Sequence, residues 1–489
     1  MTTIGKAGYI DGVFVQGEGA VFNVDNPSDE SIVATLNGLS LAQVEKAILS
    51  SRRAFDDGKW SGLSMQQRAV VVRQLGVALA KRSDELTRLA VAEAGCPRAS
   101  STMMAQVKTP LRHINEIIDL FLSLPEYEEN PLPLHERVNQ IGQVVQSLRR
   151  YTPIGVVAAY AASNVPFYTA MWKVVPALLA GNTVVLRPNQ LTPLSALLFG
   201  EAASEAGLPP GVLNVVIEGG LEGGHLLSTH PAIDMIAFTG SSPVGAKLMA
   251  QAAPTMKRIQ LELGGKSASI YLPDSVDKAV SGAMTVCVAH AGQGCALGTR
   301  IFVPETSKAK VLDAMVTAVA KIKQGHADDP DIQMGPVVSA AQRARCEHFV
   351  AAAVAAGAKV VTGGKRPAHL NKGFYFEPTV LDVPDNSNPA AQEEIFGPVV
   401  CVIGYRDLDH AVAMANDSRF GLSGYVYGQN KQEALKVGLA MRSGTVHVNT
   451  PIASAYASSG GQRLSGVGRE RGIDGLRLYQ ELSNLSLGG

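Results

Sequence analysis

The chain has few cysteines and no surplus charge of either sign. Its 489 residues include five cysteines, and lysine plus arginine equal aspartate plus glutamate at 43 each, so the net charge is zero. A neutral chain has no overall field to attract nucleic acid or an anionic membrane. No two cysteines stand as Cys-x-x-Cys and the histidines do not cluster, which argues against a disulfide framework or a metal site.

Long apolar runs are also missing. Glycine or polar residues interrupt the longest apolar stretches, which fall short of a membrane span. The start, Met1 to Val15, has no basic segment followed by an apolar one, so no signal peptide is expected. With 46% hydrophobic and 18% charged residues, the sequence predicts a globular, cytoplasmic protein of two or three domains.

Two helix starts stand out in the first third of the chain. In Ser40–Gln43 and in Ser64–Gln67, a serine is followed three places later by a glutamine, which is the capping-box spacing. Apolar residues recur at helical spacing after the second of these, through Val70, Leu75 and Leu79. The first third is therefore predicted to be helical.

From Pro153 onward, short apolar runs alternate with helix-like segments such as Ser195–Ala206. The predicted strands are Ile154–Ala159, Thr183–Leu186, Val212–Val216, Ile233–Phe238 and Arg258–Leu263. This alternation predicts an α/β fold in which helices cover both faces of a parallel sheet, with ligands beyond the carboxyl ends of its strands. A second α/β section begins near Ser267.

Two further stretches predict strands outside that alternation. Val138–Arg150 follows Pro131 and Pro133 and interleaves glutamines with apolar residues, and the last twenty residues regain a polar and apolar alternation. Both are interpreted as strands of a bridging ribbon.

A cysteine and a glutamate carry the chemical interest of the sequence. Cys295 lies among small residues in Gly292–Ala296, which leave little bulk to cover its thiol, whereas Cys287 among valines and alanine is typical of a core. Glu262 ends a strand-like apolar run, where burying a carboxylate is costly unless it has a task or a partner. A covalent cycle through a thioester would use both residues.

Glycines follow two of the predicted strands. Phe238–Gly245 is typical of a strand, turn and helix start, where free N–H groups favour a phosphate. Lys247 falls one place late for a P-loop, and Leu248 replaces the hydroxyl that would hold magnesium, which argues against a kinase or ATPase. No Gly-x-Gly-x-x-Gly fingerprint stands at a strand–helix junction.

Taken in order, these segments resemble the NAD(P)-dependent aldehyde dehydrogenase superfamily over nearly the full length. The matching segments are Pro153–Val156, Asn164–Pro166, Phe238–Ser241, Leu261–Ser267, Gly292–Cys295, Glu394–Val399, Asn416 with Phe420–Ser423, and Ser465–Glu470. The resemblance implies two α/β domains with Rossmann-like parallel sheets plus a bridging β-ribbon. It implies a cofactor-binding domain at 1–127 and 153–262, a catalytic domain at 263–452, and bridging or oligomerisation segments at 128–152 and 470–489, which build homodimers or homotetramers in the family.

The resemblance also implies catalytic roles. Cys295 would attack the aldehyde as a thiolate, and the Asn164 amide with the Cys295 N–H would hold the resulting oxyanion. After hydride transfer to the nicotinamide, Glu262 would activate water to hydrolyse the thioester. Lys173 would lie close to the cofactor and the oxyanion. The residues expected to bind the cofactor are Arg187, Gln190, Gly220, Gly224, Phe238, Gly240, Ser241, Glu394 and Phe396.

Three departures from the family pattern bear on specificity. Ala162-Ser163-Asn164 replaces Pro-Trp-Asn, so an aromatic wall beside the cofactor is lost. Arg187-Pro188-Asn189-Gln190 replaces Lys-Pro-x-Glu. Glutamine removes a carboxylate that would repel a 2′-phosphate, and Arg187 adds a cation, so NADP is the alternative to NAD, which is the commoner cofactor of the family and the one expected.

The third departure concerns the substrate. Gly294 and Ala296 beside Cys295 are both small, and Tyr168, Trp172 and Tyr456 are expected to line the tunnel. A medium-sized apolar or aromatic aldehyde is therefore expected. No arginine or lysine pair for a substrate carboxylate is evident, which disfavours a dedicated semialdehyde enzyme.

Two other functions stay open at the level of the sequence. A coenzyme-A-acylating relative would release the acyl group to a thiol, but such an enzyme does not need the hydrolytic base Glu262. A non-catalytic protein that keeps the fold would not need Cys295, Asn164 and Glu262 together.

Overall fold

The structure is a computed structural model that describes residues 6–450 and 454–488. Its strands are β1 Gly8–Ile10, β2 Val13–Val15, β3 Val21–Asp25, β4 Ile32–Asn37, β5 Tyr127–Glu129, β6 Val145–Pro153, β7 Val156–Tyr160, β8 Thr183–Arg187, β9 Leu213–Val216, β10 Met235–Thr239, β11 Arg258–Glu262, β12 Ala268–Tyr271, β13 Arg300–Pro304, β14 Lys359–Thr362, β15 Thr379–Val383, β16 Val399–Tyr405, β17 Ser423–Tyr427, β18 Thr445–Val448, β19 Gly466–Val467 and β20 Gln480–Gly488.

The helices alternate with these strands through most of the chain. They are α1 Leu41–Asp56, α2 Met65–Ala80, α3 Ser83–Ala92, α4 Thr109–Leu122, α5 Pro166–Ala180, α6 Leu194–Glu205, α7 Glu222–Thr229, α8 Ser242–Ala252, α9 Lys278–Val288, α10 Glu305–Val319, α11 Ala340–Ala355, α12 Pro389–Gln392, α13 Leu408–Asn416, α14 Lys431–Ala440 and α15 Gly472–Arg477. A π-helical turn, Met104–Lys108, leads directly into α4. None of the described helices is long and apolar enough to cross a membrane.

Two large sheets organise the molecule. The first has the order β19-β11-β10-β7-β8-β9-β1-β2, and its five middle strands are parallel. The second has the order β14-β15-β16-β13-β12-β17-β18 and is parallel except for β14. Apolar side chains cover both faces of the first sheet, with α2, α4, α5 and α6 on one face and α1, α7 and α8 on the other. The predicted α/β architecture is therefore confirmed.

The five predicted strands of the first sheet are observed with ends that differ by one or two residues. The two serine caps are also present, because Ser40 and Ser64 each accept the backbone N–H of the glutamine three places on, while that glutamine contacts the serine backbone. The prediction that the first third is helical is wrong for its first part, where β1 to β4 precede α1. Strands β2 to β4 are short and partly exposed, and β1, although buried, has only three residues, so none of them has the longer apolar run that marks a buried strand.

The predicted ribbon is a three-stranded antiparallel sheet with the order β20-β6-β5. The strand predicted at Val138–Arg150 begins later, at Val145, because residues 139–143 make a turn. The Asn139 side chain accepts the N–H groups of Ile141 and Gln143 at 3.1 and 2.9 Å, and this local bonding competes with strand formation. Strand β20 pairs with β6 along its whole length, as the alternation at the end of the chain predicted.

Candidate active site

A distorted loop presents Cys295. It follows α9, and three successive residues, His290, Ala291 and Gly292, have φ values of 54°, 50° and 74°. A Cβ at Gly292 would lie 2.0 Å from the Gly397 carbonyl oxygen, so only glycine lets the loop approach that segment. Among the five cysteines, Cys295 alone is partly exposed, and the other four are buried. The loop therefore makes Cys295 the accessible thiol that the sequence predicted.

Asn164 connects the first sheet to this loop. It lies between the end of β7 and the start of α5, and its side-chain amide donates to the Gln293 carbonyl at 2.8 Å. Its own carbonyl accepts from the Gln106 side chain at 2.7 Å, and Gln106 also lies 3.4 Å from the His290 ring nitrogen Nε2. The amide expected to hold an oxyanion is thus fixed beside the cysteine loop.

Glu262 is the last residue of β11, at the carboxyl end of the first sheet. Its Oε1 is buried with no hydrogen-bond partner among the described residues. Burial is the main reason that the pKa of Glu262 is raised well above its ordinary value, and the Glu470 carboxylate adds to the shift, while Lys173 and Arg471 oppose it. A buried carboxylate with a raised pKa and no partner is a candidate general base.

Lys173 lies in α5, nine residues after Asn164. It is fully buried, and its Nζ donates to Glu470 at 3.1 Å. The Lys173 ammonium and the Glu470 carboxylate both influence Glu262, so these three charges form one group behind the cysteine loop. The Lys173 charge therefore acts on the pKa of Glu262, and Lys173 forms an ion pair with Glu470.

The segment that links the two sheets runs directly under Cys295. A Cβ at Gly265 would lie 2.5 Å from the Cys295 carbonyl oxygen and 3.1 Å from Leu422, so the chain passes here without room for a side chain. The Gly265 N–H donates to Glu394 at 3.0 Å, and Phe396, with φ of 61°, is held through its carbonyl by Gln342 at 2.8 Å. Glu394 and Phe396 thus border the cysteine loop.

The surroundings of Cys295 favour the protonated thiol in the free protein. Burial is the main cause that raises the pKa of Cys295 to about 12, and the carboxylates of Glu394 and Glu262 act in the same direction, while Arg471 opposes them. Burial likewise raises the pKa of Glu394. An accessible thiol whose neighbours include two carboxylates requires a nearby cation or base to form its thiolate.

The predicted adenosine and pyrophosphate residues lie along the carboxyl ends of β8, β9 and β10. Ser241 precedes α8, and no side chain caps that helix start, which leaves its amides directed outward beside Phe238 and Gly240. The start of α7 differs, because the Glu218 carboxylate accepts the N–H groups of Gly223 and Gly224, each at 2.7 Å. The α8 start is thus the better anion site of the two.

Arg187 is already paired. Its guanidinium contacts the buried Glu218 at 2.5 Å and donates to the Gly220 carbonyl at 3.0 Å. The predicted free cation at this position is therefore neutralised by a carboxylate that the sequence did not single out. Gln190, in the turn that follows β8, is exposed.

Two of the three expected tunnel residues lie together. The rings of Tyr168 and Trp172, one helical turn apart in α5, are 6.3 Å apart at their centroids, and Trp172 is buried. Tyr456 lies in the described segment after residues 451–453 and is 54% exposed, so it stands at a surface. No group of three metal-binding side chains occurs within ranges 6–450 and 454–488.

Four residues at the site escaped the sequence interpretation, namely Gln106, Glu218, Glu470 and Arg471. Gln106 and Glu218 act through partners distant in sequence, which no local pattern reveals. Glu470 ends one of the segments that resemble the family, but nothing in the sequence indicated its ion pair with Lys173. Arg471 directly follows it and had no recognised role.

Comparisons with known proteins agree with this geometry. The model of the aldehyde dehydrogenase family matches residues 14–485. Betaine aldehyde dehydrogenase of Bacillus subtilis strain 168 is 33% identical over 488 residues, covering 98% of this chain and 96% of the relative. A crystal structure of a mutant of aldehyde dehydrogenase C from Pseudomonas syringae, complexed with NAD+ and octanal, superposes with a TM-score of 0.92 at 36% identity, covering 99% of this chain and 97% of that one.

A second solved structure gives the same result. Betaine aldehyde dehydrogenase from Staphylococcus aureus, in complex with NAD+, has a TM-score of 0.92 at 33% identity and covers 99% of this chain and 95% of that one. A family match of this extent and relatives of this identity define the class, and the chain belongs to the aldehyde dehydrogenase family. The resemblance and the predicted fold are thereby confirmed.

Proposed function

We propose that this enzyme oxidises an aldehyde to the carboxylic acid with NAD, using Cys295 as nucleophile and Glu262 as the base that completes the cycle. The proposal rests on two neighbouring groups. Cys295 is an accessible thiol, and Glu262 has a buried oxygen without a hydrogen-bond partner among the described residues and raises the pKa of Cys295. Overall, the aldehyde, NAD+ and one water give the acid, NADH and a proton.

The first half of the cycle forms a carbon–sulfur bond. The Cys295 thiolate adds to the carbonyl carbon, and the oxyanion accepts hydrogen bonds from the Asn164 amide and the Cys295 N–H. One such donor contributes roughly 3–4 kcal/mol in other enzymes. Bound NAD+ supplies the hydride acceptor that turns the thiohemiacetal into a thioester.

The second half breaks that bond. Glu262 takes a proton from water, which attacks the thioester carbon and releases Cys295 as the thiolate. Its buried position at the end of β11 and its raised pKa suit it to accept that proton. Lys173 and Glu470 position and bias Glu262 through their charges.

The cofactor would lie across the carboxyl ends of the first sheet. The uncapped start of α8, with Ser241 and Gly240, suits a pyrophosphate, and the Glu394 carboxylate suits a ribose hydroxyl. Gly220, Gly224, Phe238 and Phe396 complete the path. NAD is favoured over NADP because Glu218 neutralises Arg187, and because the relatives from Pseudomonas syringae and Staphylococcus aureus were solved with NAD+.

The substrate carries an apolar or aromatic body of medium size. Tyr168 and Trp172 supply an aromatic wall, and the Pseudomonas syringae relative was solved with octanal. Tyr456 would stand at the tunnel mouth because of its exposure.

The proposal also covers the domains, the assembly and the location of the protein. Segments 1–127 and 153–262 form the cofactor-binding domain, 263–452 the catalytic domain, and 128–152 with 470–489 the bridging segments. The exposed ribbon supports a homodimer or homotetramer. A cytoplasmic location agrees with the sequence, and no nucleic acid or membrane is a partner.

Turnover of Cys295→Ala tests the chemistry. Purified protein is assayed for NADH formation with aliphatic and aromatic aldehydes, and the acid is quantified with and without coenzyme A. Cys295→Ala should abolish NADH formation while retaining NAD binding, and Cys287→Ala, which changes a buried thiol of the core, should keep turnover. Product that appears only as acyl-coenzyme A would favour the acylating alternative. An inactive wild type whose Cys295 reacts with iodoacetamide no faster than Cys287 would favour the non-catalytic one.

A further inference from the structure

Arg471 occupies an unusual position beside the aromatic wall of the proposed substrate tunnel. Its backbone φ is 63°, a value that arginine rarely adopts. Its guanidinium lies over the rings of Tyr168 and Trp172, at 5.6 and 5.5 Å from their centroids, and donates a hydrogen bond to the Tyr168 hydroxyl. Two aromatic faces thus hold this cation in a fixed orientation.

The Glu262 carboxylate acts on Arg471 through space, without an ion pair or a hydrogen bond between them among the residues that the structure describes. Within ranges 6–450 and 454–488, Arg471 forms no ion pair, and its only side-chain hydrogen bond is the one to Tyr168. Its Nε is buried and has no acceptor. Neighbouring cations are satisfied, since Lys173 pairs with Glu470 at 3.1 Å and Arg469 donates to the Gly461 carbonyl at 3.1 Å. An immobilised arginine with unused donors is typical of a site that receives an anion.

Arg471 faces the same space as the reacting groups. The guanidinium lowers the pKa of Cys295 against the stronger effect of burial, and it also acts on Glu262. Burial is the main reason that the pKa of Tyr168 is raised, and Cys295 adds to the shift, so the Tyr168 hydroxyl also lies near the thiol. The cation and the aromatic wall therefore belong to the environment of the nucleophile.

We propose that Arg471, assisted by the Tyr168 hydroxyl, binds a carboxylate at the end of the substrate remote from its aldehyde. The substrate class is then an aldehyde with an apolar or aromatic body and one carboxylate, and the product is a dicarboxylate. This inference rests on the proposed function and narrows its substrate. The sequence disfavoured a substrate carboxylate because no pair of cationic residues was evident. The structure changes that expectation, because one arginine and the Tyr168 hydroxyl together provide the hydrogen-bond donors.

A purely electrostatic role for Arg471 makes a different prediction. A cation that only assists formation of the Cys295 thiolate would affect every aldehyde equally at a given pH. A carboxylate receptor changes the ratio of kcat/KM between a carboxylated aldehyde and a neutral one of the same shape. The ratio, measured at several pH values, separates the two roles because any change in the Cys295 pKa cancels from it.

The experiment uses 4-carboxybenzaldehyde and 4-methylbenzaldehyde as probes, with wild type, Arg471→Leu, Arg471→Lys and Tyr168→Phe. The wild type should prefer the carboxylated probe by kcat/KM. Arg471→Leu should lower that ratio about tenfold or more, since a hydrogen bond to a charged group has this magnitude. Arg471→Lys should restore part of the preference, and Tyr168→Phe should weaken it with a rise in KM.

Arg343→Leu is the matched control. Arg343 also lies over an aromatic ring, that of Phe374 at 5.8 Å, and has one hydrogen bond and a buried Nε without an acceptor, but it lies in α11 away from Tyr168. Its probe ratio should equal that of the wild type. If Arg471→Leu does not fold, as judged by its thermal transition, the ratio in Arg471→Lys and Tyr168→Phe decides.

Two results would overturn the inference. One is a wild type that prefers 4-methylbenzaldehyde, and the other is a ratio that Arg471→Leu and Arg471→Lys leave unchanged. NADH formation from neither probe, nor from any other aldehyde, would instead count against the proposed function, so the two failures are distinguishable.

Discussion

Glu262 and Glu470 are two carboxylates that share the influence of one buried ammonium, that of Lys173. Glu470 bonds Lys173 directly, and its negative charge raises the pKa of Glu262 while Lys173 lowers it. Because only ionised Glu262 can accept a proton from water, thioester hydrolysis should decline as pH falls through the raised pKa. In the proposed cycle, the two carboxylates are therefore expected to set the pH range of thioester hydrolysis.

Glu470→Gln should move that decline to lower pH. The substitution removes the negative charge of Glu470, which repels ionised Glu262, and it frees the positive charge of Lys173 from its ion pair. Both effects lower the pKa of Glu262. The measurement is the rate of steady-state turnover after the first burst of NADH, followed across acid pH. Glu347→Gln, a carboxylate paired with Arg366 at the surface, should leave the profile in place. A profile that stays or moves upward in Glu470→Gln would show that Glu470 does not act on the base.

His113 is a buried side chain whose two ring nitrogens have no hydrogen-bond partner among the described residues. It packs edge-on against Trp172 at 5.4 Å, and burial, aided by the Arg471 charge, lowers the pKa of His113 to about 4. The unfolded chain takes up a proton near the ordinary pKa of 6.5, whereas the folded protein does so only near 4. The stability that this histidine contributes is therefore lost as pH falls between these values.

His113→Leu should reduce this acid sensitivity. At neutral pH the change should be neutral or stabilising by about 1 kcal/mol, because an unsatisfied polar group leaves the core. Urea unfolding at neutral pH and near pH 5 measures the effect as the difference between the two free energies of unfolding. His135→Leu, a change at an exposed histidine, should leave that difference unaltered. A larger loss in acid for His113→Leu would contradict the assignment.

The sequence predicts the roles of some site residues better than those of others. Cys295 and Asn164 stand in short segments that carried the family resemblance, so their positions were predictable. Glu218 was not, because its task depends on Arg187 and on the start of α7, which only the fold brings together. Burial and pairing across long sequence separations therefore account for what the residue pattern missed.

At the scale of elements, the π-helical turn Met104–Lys108 has a clear consequence. It precedes α4 and directs Gln106 inward to the Asn164 carbonyl and the His290 ring, while Met104 on the same turn is 48% exposed. Such turns often occur at functional sites because they shift side chains by one position. We therefore propose that Gln106 positions Asn164, the proposed oxyanion donor.

Gln106→Leu should lower kcat/KM about tenfold or more, because small misplacements of reacting groups are costly. The loss should fall on kcat, measured as the rate of the NADH burst, with the affinity for NAD little changed. Gln106→Glu, which keeps the size of the side chain but removes the donor, should resemble Gln106→Leu. Met104→Leu controls for changes in the turn. An unaltered burst in Gln106→Leu would mean that Asn164 is fixed without it.

The elements themselves were predictable where burial was complete. Strands β7 to β10 are buried along nearly their whole length and β11 in its middle, so their runs were visible, and the serine caps of α1 and α2 have a local physical cause. Strands β1 to β4 and the turn at residues 139–143 were not, because β1 has only three residues, β2 to β4 are partly exposed, and a side-chain-bonded turn carries no hydrophobic period. Local pattern thus predicts buried elements better than exposed ones.

At the scale of the whole molecule, the ribbon β20-β6-β5 is exposed although it carries large apolar side chains. Leu482, Leu485 and Leu487 on β20 are 57%, 42% and 43% exposed, and Ile141 in the turn before β6 is 78% exposed. Leu485 and Leu487 share one face of β20, because side chains two residues apart on a strand point to the same side. Large apolar side chains exposed in this way mark an interaction site. The chain is therefore expected to assemble through the ribbon.

Light scattering coupled to gel filtration should give a dimer or a tetramer for the wild type. Leu485→Glu combined with Leu487→Glu should shift the mass toward the monomer, because a charged side chain buried at an interface without a partner is strongly unfavourable. Leu439→Glu is the matched control, since Leu439 is 78% exposed on α14 and lies outside the ribbon. A monomeric wild type, or a mass unchanged in the double variant, would mean that the ribbon does not mediate assembly. Association of folded chains stabilises the folded state, so loss of assembly should also lower the temperature of unfolding. The ribbon is closely connected to the first sheet, since β6 ends at Pro153 and β7 begins three residues later.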